Sequence, residues 1–375
     1  MARWFVTPVH PRGRDALSFL FAQLLLSPLL LLQTPLAALV RRVSAASRAK
    51  IVHLPASARP TVLVVGNLVV GGTGKTPVSL AIAQCLQEHG YQVGLLGNAF
   101  RARQQTASLV AADADAALVG DEALLLARRT GLPVASGRRR DQALQLLMTH
   151  YPRLDVVIAD DGLQHHWLAR SIELAVFDAR GAGNARLLPA GPLRQSLSDA
   201  ATLDALLLNG TDISPVSHAR TFRFDVQISA LLPLAQYRMA QDRKAQHRMA
   251  QDQIDSNSDC GSQSERIDPA TIAALQKISP NRIKAIAGIA NPGRFAQSLR
   301  QIGLTCPMIA LADHERLTEA SLRAIDADVI LMTEKDAVKL LNSGDPRCWV
   351  AIASARLQTA FCDWLLSQPA LSRSA

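Results

Sequence analysis

Aromatic residues, lysines and paired cysteines are all scarce in this sequence of 375 residues. Phe, Tyr and Trp make up only 4% of it and are not interleaved with basic residues, which argues against a stacking surface for single-stranded nucleic acid. The five cysteines are scattered, odd in number and without a CxxC pair. The sequence therefore predicts neither a disulfide framework nor a zinc site, and it favours a reducing compartment.

Acidic residues are also outnumbered, with 31 against 40 basic residues and a formal net charge of +9. Only seven of the basic residues are lysine. An arginine-rich chain suits nucleic acid, an anionic membrane surface or a phosphorylated substrate, and the shortage of aromatics makes nucleic acid the weakest of the three. We expect no nucleic-acid partner. The length allows two domains of ordinary size or one large domain with additions, and at 49% apolar the chain can bury sizeable cores.

A stretch without any charge covers Ala16–Val40, with basic residues on both sides. It is long enough to cross a bilayer. Pro28 and Pro35 interrupt it, so two shorter helices lying in the membrane interface explain it equally well. A hydrophobic core helix is the alternative, and a cleaved signal peptide is disfavoured because no small-x-small site ends the run. We expect a membrane-associated segment over residues 1–54, with its basic flanks against anionic lipid.

Residues 55–215 alternate between apolar strands and helices. Runs such as TVLVVG, YQVGLLG, LDVVIADD and IELAVFD predict buried strands, and the segments between them have helical spacing. Continuous apolar strands that alternate with helices are typical of a parallel sheet covered on both faces. We therefore predict an α/β fold with a mostly parallel sheet and helices on both faces.

A second, smaller α/β domain is predicted over residues 216–375, where strands such as IKAIAGIA and VILMT alternate with further helices. Within it, residues 235–266 repeat the letters RMAQD and contain few apolar anchors. We interpret this stretch as a polar surface insertion, partly helical or disordered, without a chemical role.

The stretch VVGNLVVGGTGKTPVSLAIA predicts a phosphate-binding loop of the P-loop NTPase type, because it follows a strand and opens a helix. Its glycines turn backbone N–H groups toward phosphate oxygens, Lys75 supplies a charge for the β- and γ-phosphates, and the Thr76 hydroxyl can ligate Mg²⁺. The predicted nucleotide-binding residues are Gly71, Gly72, Thr73, Gly74, Lys75 and Thr76. The motif usually starts with a glycine where this chain has Val69, a change that we expect to alter loop shape and spare the phosphate contacts.

Two adjacent aspartates, Asp160 and Asp161, end the buried strand LDVVIADD. This position matches the acidic residue that holds Mg²⁺ in P-loop enzymes. Acidic residues at strand ends also cap helices, so the pair is ambiguous alone. Combined with the loop, it predicts a Mg²⁺ site formed by Thr76, Asp160 and Asp161, with ATP as the co-substrate.

The sequence resembles the lipid A 4'-kinases (tetraacyldisaccharide 4'-kinase family) in seven stretches. They are VVGNLVVGGTGKTP, GDEALLLARRTGLPVA, ADDGLQHHWLAR, RLLPAGPLR, AIAGIANPGRF, LADHERL and VILMTEKDAVKL. They follow the family's order and cover most of residues 60–341. The family's loop reads GGxGKTP without the first glycine, so Val69 follows the family's own pattern.

The resemblance implies transfer of the γ-phosphoryl group of ATP to the 4'-hydroxyl of a tetraacyl disaccharide 1-phosphate in lipid A synthesis. It places the protein at the cytoplasmic face of the bacterial inner membrane. It also implies a base formed by an Asp–His pair, which maps to Asp121 and His314. A carboxylate raises the basicity of a neighbouring imidazole, so the pair can accept the sugar hydroxyl's proton. From the residues alone, Asp121 could equally cap a helix and His314 lie in a surface loop.

Four further features are weaker candidates. Arg194 in AGPLR is expected to stabilise the transferring phosphoryl group. Arg138–Arg140 either neutralise a substrate phosphate or form a solvated helix face. Lys335 lies at a strand-to-helix turn, where neighbouring acids favour the helix start, and the adjacent His165 and His166 lack the spacing of metal ligands. The predicted catalytic set is Asp121, His314, Lys75 and Arg194.

Three positions depart from the family's pattern. The family has Ser-Arg-Gly-Tyr-Gly where this chain has GNAFR. It also has an acidic residue where this chain has Gln195, and a proline where this chain has Ala123. Arg101 or Arg103 could supply the lost arginine. One alternative is therefore a nucleotide-binding, membrane-associated family member with reduced or lost transfer activity, acting as a regulator or scaffold. A P-loop GTPase or metal-insertion chaperone is the other, although the chain lacks an Asn-Lys-x-Asp motif.

Overall fold

The computed structural model describes residues 60–99, 102–104, 106–251, 267–311, 317–340 and 343–372. The first part of the chain contributes the strands β1 (Thr61–Gly66), β2 (Val93–Gly97), β3 (Ser108–Leu109), β4 (Val134–Ser136), β5 (Val156–Asp160), β6 (Ile172–Asp178) and β7 (Ala205–Asn209). The second part contributes β8 (Thr221–Pro233), β9 (Ile283–Ala287), β10 (Met308–Ala310), β11 (Val329–Thr333) and β12 (Cys348–Leu357).

These strands form one twelve-stranded sheet in the order β10-β9-β11-β12-β8-β7-β6-β1-β5-β2-β4-β3. Neighbouring strands run parallel except in the pairs β3–β4 and β8–β12, which are antiparallel. The prediction of a mostly parallel α/β sheet is therefore confirmed. Strand β1 pairs with β5 on one side and β6 on the other, and the crevice beyond the carboxyl ends of such strands is where α/β folds bind ligands.

Eleven helices accompany the sheet in the described part of the chain. They are α1 (Lys75–Glu88), α2 (Ala116–Val119), α3 (Asp121–Thr130), α4 (Arg140–His150), α5 (Leu197–Ala200), α6 (Leu234–Gln251), α7 (Pro269–Gln276), α8 (Pro292–Gln301), α9 (Glu319–Arg323), α10 (Glu334–Ala337) and α11 (Thr359–Leu366). Short 3₁₀ turns cover Pro280–Arg282 and Pro369–Leu371.

Both faces of the sheet are covered, as the apolar strands predict. Leu63 and Val65 of β1 pack in one core with α1 and α3, whereas Val62 and Val64 pack in another with α4. Successive side chains of a strand point to opposite faces, so a strand buried on both faces must be apolar throughout. The second part of the chain repeats this arrangement with two further cores around β9, β11 and β12.

The long strands β8 and β12 connect the two parts of the sheet. The first residues of β8, Thr221–Phe224, pair with β7, and the remainder pairs antiparallel with β12. Strand β12 in turn pairs with β11 over Cys348–Ala351. The division into domains at residues 55–215 and 216–375 stays a prediction.

Helix α6 covers the start of residues 235–266, in agreement with the partly helical stretch expected there. Its first turns are anchored, because Leu234, Tyr237 and Gln241 are all buried. The phenol of Tyr237 donates to Glu334 at 3.4 Å, and Arg238 donates to the carbonyl oxygen of Ser343 at 3.2 Å. These contacts are not apparent from the polar composition of the segment. Two apolar side chains at helical spacing, Leu234 and Tyr237, are enough to attach the start of the helix.

Residues 252–266 and the amino-terminal segment, residues 1–54, lie outside the described residues. Among the helices that the structure does describe, we find none with the length and apolar character needed to cross a bilayer.

Candidate active site

The predicted phosphate loop joins the end of β1 to the start of α1. Gly74 precedes α1 with a φ of 102°, and a Cβ there would lie 2.5 Å from Nδ2 of Asn209, so only glycine fits. The same Asn209 amide donates to the carbonyl oxygen of Thr73 at 2.8 Å. The first turn of α1 has neither a side-chain cap nor an acidic residue, which leaves its N–H groups and positive dipole end for an anion.

Val69, in place of the usual first glycine, forms an isolated antiparallel bridge with Leu193. Next to it, the N–H of Arg194 donates to the carbonyl oxygen of Leu68 at 2.7 Å. Val69 is buried in the same core as Val62 and Val64, and a β-branched residue suits a bridging position. The altered loop therefore takes the form of a short strand pairing that brings Arg194 beside the phosphate loop.

Asp160 is the last residue of β5 and is 1% exposed. Its carboxylate accepts hydrogen bonds from the hydroxyls of Thr76 and Ser79, each at 2.8 Å. Burial, reinforced by the charge of Glu122, raises the pKa of Asp160 to about 6, although the hydrogen bond from Thr76 opposes the shift.

Asp161 adopts a left-handed conformation with a φ of 51°, which aspartate tolerates better than most residues. Its carboxylate lies 3.5 Å from Nζ of Lys75 and 3.1 Å from Nη1 of Arg194. Burial alone would raise the pKa of Asp161, but these two cations and Arg140 outweigh it and hold that pKa below its ordinary value. The structure thus brings five predicted site residues together: Lys75, Thr76, Asp160, Asp161 and Arg194.

The donor set at Thr76 and Asp160 fits Mg²⁺. A hydroxyl and a carboxylate are the oxygen ligands that Mg²⁺ prefers, and in kinases it takes one or two carboxylates together with substrate phosphates and water. Within the described ranges, no cluster of three or more His, Cys, Asp or Glu side chains could hold a metal by itself. Burial and the charge of Arg140 lower the pKa of His165 to about 4, so this imidazole is neutral at physiological pH.

Gln164 links Arg194 to Gln195. Its Oε1 accepts from Nη1 of Arg194 at 3.1 Å, while its Nε2 donates to Oε1 of Gln195 at 2.9 Å. Gln164 belongs to the stretch ADDGLQHHWLAR but is not among the predicted site residues. Its place four residues after Asp160, at the carboxyl end of a central strand, was the available signal for a site residue.

Asp121 is the first residue of α3 and is 7% exposed. It follows Gly120, whose φ is 95° and where a Cβ would lie 2.5 Å from the carbonyl oxygen of Asn98. One carboxylate oxygen accepts from the N–H of Glu122 at 3.0 Å, and the other lies 3.8 Å from Nζ of Lys339. His314 lies outside the described residues, as does Arg101, so the pairing of Asp121 with His314 stays a prediction.

The TEKD turn connects the second part of the chain to α3. Helix α10 begins at Glu334, as the acidic residues predict, and the side chain of Thr333 caps it. Lys335 forms an ion pair with Glu122 at 3.2 Å, and both oxygens of Glu334 accept from Nη1 of Arg129 at 2.7 and 2.8 Å. Lys335 thus holds the first turn of α3, which includes Asp121, and Glu334 holds its last turn against the second part of the sheet.

The three consecutive arginines at the start of α4 differ in their surroundings. Arg139 is exposed and binds both oxygens of Asp141, at 2.9 and 2.6 Å. Arg140 is 2% exposed and donates through Nη2 to the carbonyl oxygen of Asp160 at 3.1 Å. The interpretation of these residues as a solvated helix face is therefore wrong for Arg140.

Two arginines that sequence reasoning missed lie beside the phosphate loop. Arg180 donates to the carbonyl oxygens of Val70 and Gly72 at 3.4 and 3.2 Å, and it pairs with Asp178 at 2.9 Å. Arg294, from α8 in the second part of the chain, approaches the same carboxylate to 3.4 Å. Asp178 is the last residue of β6, the strand next to β1. Like Asp160, it is an acidic residue at the carboxyl end of a buried central strand, and this position was the available signal for it.

A family model for tetraacyldisaccharide-1-P 4'-kinase matches residues 24–370. A tetraacyldisaccharide 4'-kinase of Dechloromonas aromatica is 37% identical over 343 residues, covering 91% of this chain and 93% of that protein. One from Herminiimonas arsenicoxydans is 39% identical over 314 residues, covering 83% and 82%.

The fold is also that of a solved structure. A crystal structure of LpxK from Aquifex aeolicus, described as in complex with ATP, superposes with a TM-score of 0.69 at 21% identity, covering 92% of this chain and 98% of that one. The family model spans most of the chain, and relatives above 30% identity match along most of their own length. The chain therefore belongs to the tetraacyldisaccharide-1-P 4'-kinase family.

Proposed function

We propose that this protein transfers the γ-phosphoryl group of ATP to the 4'-hydroxyl of tetraacyldisaccharide 1-phosphate in lipid A synthesis. The observation that supports this proposal is that Lys75 contacts Asp161 and Thr76 donates to Asp160. These contacts lie within a chain that matches the kinase family over residues 24–370. Phosphoryl transfer requires positioning and charge stabilisation more than covalent chemistry, and this is what the arrangement supplies.

Each residue at the phosphate loop has a role in this proposal. The N–H groups at the start of α1 bind phosphate oxygens, and Lys75 leaves Asp161 to contact the β- and γ-phosphates. Thr76 and Asp160 would hold Mg²⁺, which neutralises the charge on the phosphates when it is bound. Arg194, held 3.1 Å from Asp161, lies ready to stabilise charge on the transferring group.

The acceptor's proton is assigned to Asp121 and His314. Asp121 is buried at the first turn of α3, whose next residue, Glu122, influences the pKa of Asp160. The 4'-hydroxyl would lose its proton to this pair as its oxygen attacks the γ-phosphorus, and ADP leaves with the former bridging oxygen.

The test is phosphorylation of tetraacyldisaccharide 1-phosphate by the purified full chain with ATP and Mg²⁺, followed by mass spectrometry. We expect Lys75→Ala to lower kcat at least about a hundredfold, because it removes a charge that acts on the transition state. Lys277→Ala, at an exposed lysine of the second part of the chain, is the matched control and should keep full activity. Equal turnover in Lys75→Ala and the wild type would contradict the proposal.

The assignment of the base has its own test. Asp121→Asn should lower kcat by about a hundredfold or more while leaving the KM for ATP near its wild-type value, because the base contributes only to proton removal. Wild-type kcat in Asp121→Asn would remove it from the mechanism and leave the phosphate-loop assignments standing. Nucleotide binding without any turnover by the wild type would instead favour a regulator or scaffold.

We also propose that residues 1–54 attach the protein to the cytoplasmic face of the inner membrane. The support is the charge-free run Ala16–Val40 with basic flanks, together with an acylated acceptor that resides in a membrane. The full chain should float with anionic vesicles, and Leu25→Asp combined with Leu31→Asp should reduce the floated fraction severalfold. Equal flotation of this variant would contradict the anchor.

A further inference from the structure

The ammonium group of Lys339 lies between two buried carboxylates. Its Nζ is 3.1 Å from Oδ1 of Asp336 and 3.8 Å from Oδ2 of Asp121, and the side chain of Lys339 is only 9% exposed. Lys339 follows α10 in the second part of the chain, whereas Asp121 is the first residue of α3. A cation from the second part of the chain therefore faces the proposed base.

Asp336 fixes the place of this ammonium group. It is fully buried, and its Oδ2 accepts from the hydroxyl of Thr333 at 2.7 Å and from the N–H of Gly288 at 3.0 Å. Thr333 ends β11 and Gly288 follows β9, so the carboxylate is attached to the ends of two neighbouring strands. Because Oδ1 of the same carboxylate contacts Lys339, the sheet determines where the ammonium group lies.

Asp121 is held through both of its carboxylate oxygens. Oδ1 accepts from the N–H of Glu122 at 3.0 Å, and Oδ2 faces Lys339. Burial disfavours the charged form of a carboxylate, and Asp121 is only 7% exposed. A cation at 3.8 Å acts in the opposite direction and favours the charged form, which is the form that can take part in accepting a proton.

Other charged groups near α3 have partners of their own. Glu122 pairs with Lys335 at 3.2 Å, and at the far end of the helix Arg129 pairs with Glu334 at 2.7 Å. Further charged side chains described on the helices that pack against α3 are Lys75 and Glu88 of α1 and Arg238, Asp242 and Arg243 of α6. Lys75 contacts Asp161, so its charge is directed toward the phosphate loop.

We propose that Lys339 is a positioning residue for the base of the phosphoryl transfer. Held by Asp336, its ammonium group keeps the Asp121 carboxylate ionised and oriented, so that the pair of Asp121 and His314 can take the proton of the acceptor's hydroxyl. This inference rests on the proposed function. Because one cation serves two carboxylates, removing Lys339 should make the base bind its proton more tightly. Neutralising Asp336 should have the opposite effect, since the ammonium group then serves Asp121 alone.

The test is the pH dependence of kcat/KM for tetraacyldisaccharide 1-phosphate, measured with the full chain and saturating ATP and Mg²⁺. Each profile is scaled to its own plateau, so a smaller folded fraction does not move its midpoint. We expect Lys339→Met to move the midpoint of the acidic limb up by about one pH unit, and Asp336→Asn to move it down by about half a unit. Lys339→Arg keeps the charge and should stay within about 0.3 unit of the wild type, as should Lys277→Met at an exposed lysine.

The outcomes separate the failure of this inference from that of the proposed function. A lower rate at every pH with an unchanged midpoint in Lys339→Met would make Lys339 a purely structural residue and overturn the inference, while the kinase function stands. If Lys339→Met does not fold, Asp336→Asn decides, because a midpoint that stays or rises overturns the inference as well. Wild-type kcat in Asp121→Asn removes the base and the inference with it. No turnover by the wild type contradicts the proposed function itself.

Discussion

The adjacent aspartates at the end of β5 should have opposite effects on stability when each is neutralised. The pKa of Asp160 is raised by burial from 3.8 to about 6, whereas that of Asp161 is lowered by Lys75 and its neighbours, which outweigh burial. A raised carboxyl pKa means that the folded protein binds the proton more tightly than the unfolded chain. The stability that protonated Asp160 provides is therefore complete below about pH 4 and lost as the pH rises to about 6.

The magnitude follows from the shift of about two pKa units. At about 1.36 kcal/mol for each unit, ionised Asp160 costs the folded protein roughly 3 kcal/mol above pH 6. Asp160→Asn removes this cost and keeps an oxygen that can accept from Thr76 or Ser79. We expect it to raise the free energy of unfolding by up to about 3 kcal/mol at pH 7.5 without Mg²⁺ and nucleotide.

Asp161→Asn is the matched control, since it makes the same chemical change one residue away. The lowered pKa of Asp161 stabilises the fold above the pKa of the unfolded chain, and this stability is lost as the pH falls through the folded-state pKa. At pH 7.5 the control should therefore lower the free energy of unfolding, because Lys75 and Arg194 lose their counter-charge.

Urea unfolding with EDTA, followed by circular dichroism between pH 4 and pH 8, measures both effects. With Mg²⁺ and ATP the order should reverse, because ligand binding stabilises only the proteins that bind it. If Asp160→Asn is less stable than the wild type at pH 7.5 without ligands, or shows the wild-type loss of stability between pH 4 and 6, the reasoning about buried charge is refuted.

Three further predictions concern the surroundings of the site. Glu334→Ala should lower the free energy of unfolding by about 3–5 kcal/mol, because it removes the buried carboxylate that Arg129 binds. The control Arg323→Ala removes an exposed ion pair and should lower that free energy by less than about 1 kcal/mol. Urea unfolding measures both changes. Val69→Gly restores the usual loop motif and should lower the free energy of unfolding by about 2–3 kcal/mol, because it removes a buried side chain. The KM for ATP should stay within about twofold of the wild-type value. A clear fall in that KM would contradict the account of the loop. Gln195→Glu should lower the Mg²⁺ concentration needed for half-maximal rate, because it adds a carboxylate next to Gln164 and Arg194. An unchanged Mg²⁺ dependence would place residue 195 outside the surroundings of the metal.

The central strands and the phosphate loop could be predicted from the sequence because their signals are local. The apolar runs that form β1, β5 and β6 are continuous, and GGTGKT carries its own geometry. Asp160 and Asp161 were predictable for the same reason, since a strand end fixes where they lie.

Contacts between distant parts of the chain could not be predicted in this way. No local pattern indicates that Val69 bridges to Leu193, or that Arg294 reaches Asp178 from the second part of the chain. Arg140 stands within a run of arginines typical of an exposed helix start, and its burial depends on how α4 packs behind β5. The anchoring of α6 was hidden similarly, because Tyr237 meets Glu334 almost one hundred residues later.

The most direct test of the central claim is the fate of the γ-phosphorus of ATP. The full chain is incubated with Mg²⁺, γ-labelled ATP and tetraacyldisaccharide 1-phosphate, and the lipid product is examined by ³¹P NMR with proton correlation. The account predicts a second phosphate monoester on the lipid, carrying the label and correlated with the proton at the 4' carbon, and predicts its loss in Lys75→Ala but not in Lys277→Ala. Label that appears only as inorganic phosphate, or on another position of the sugar, would contradict it.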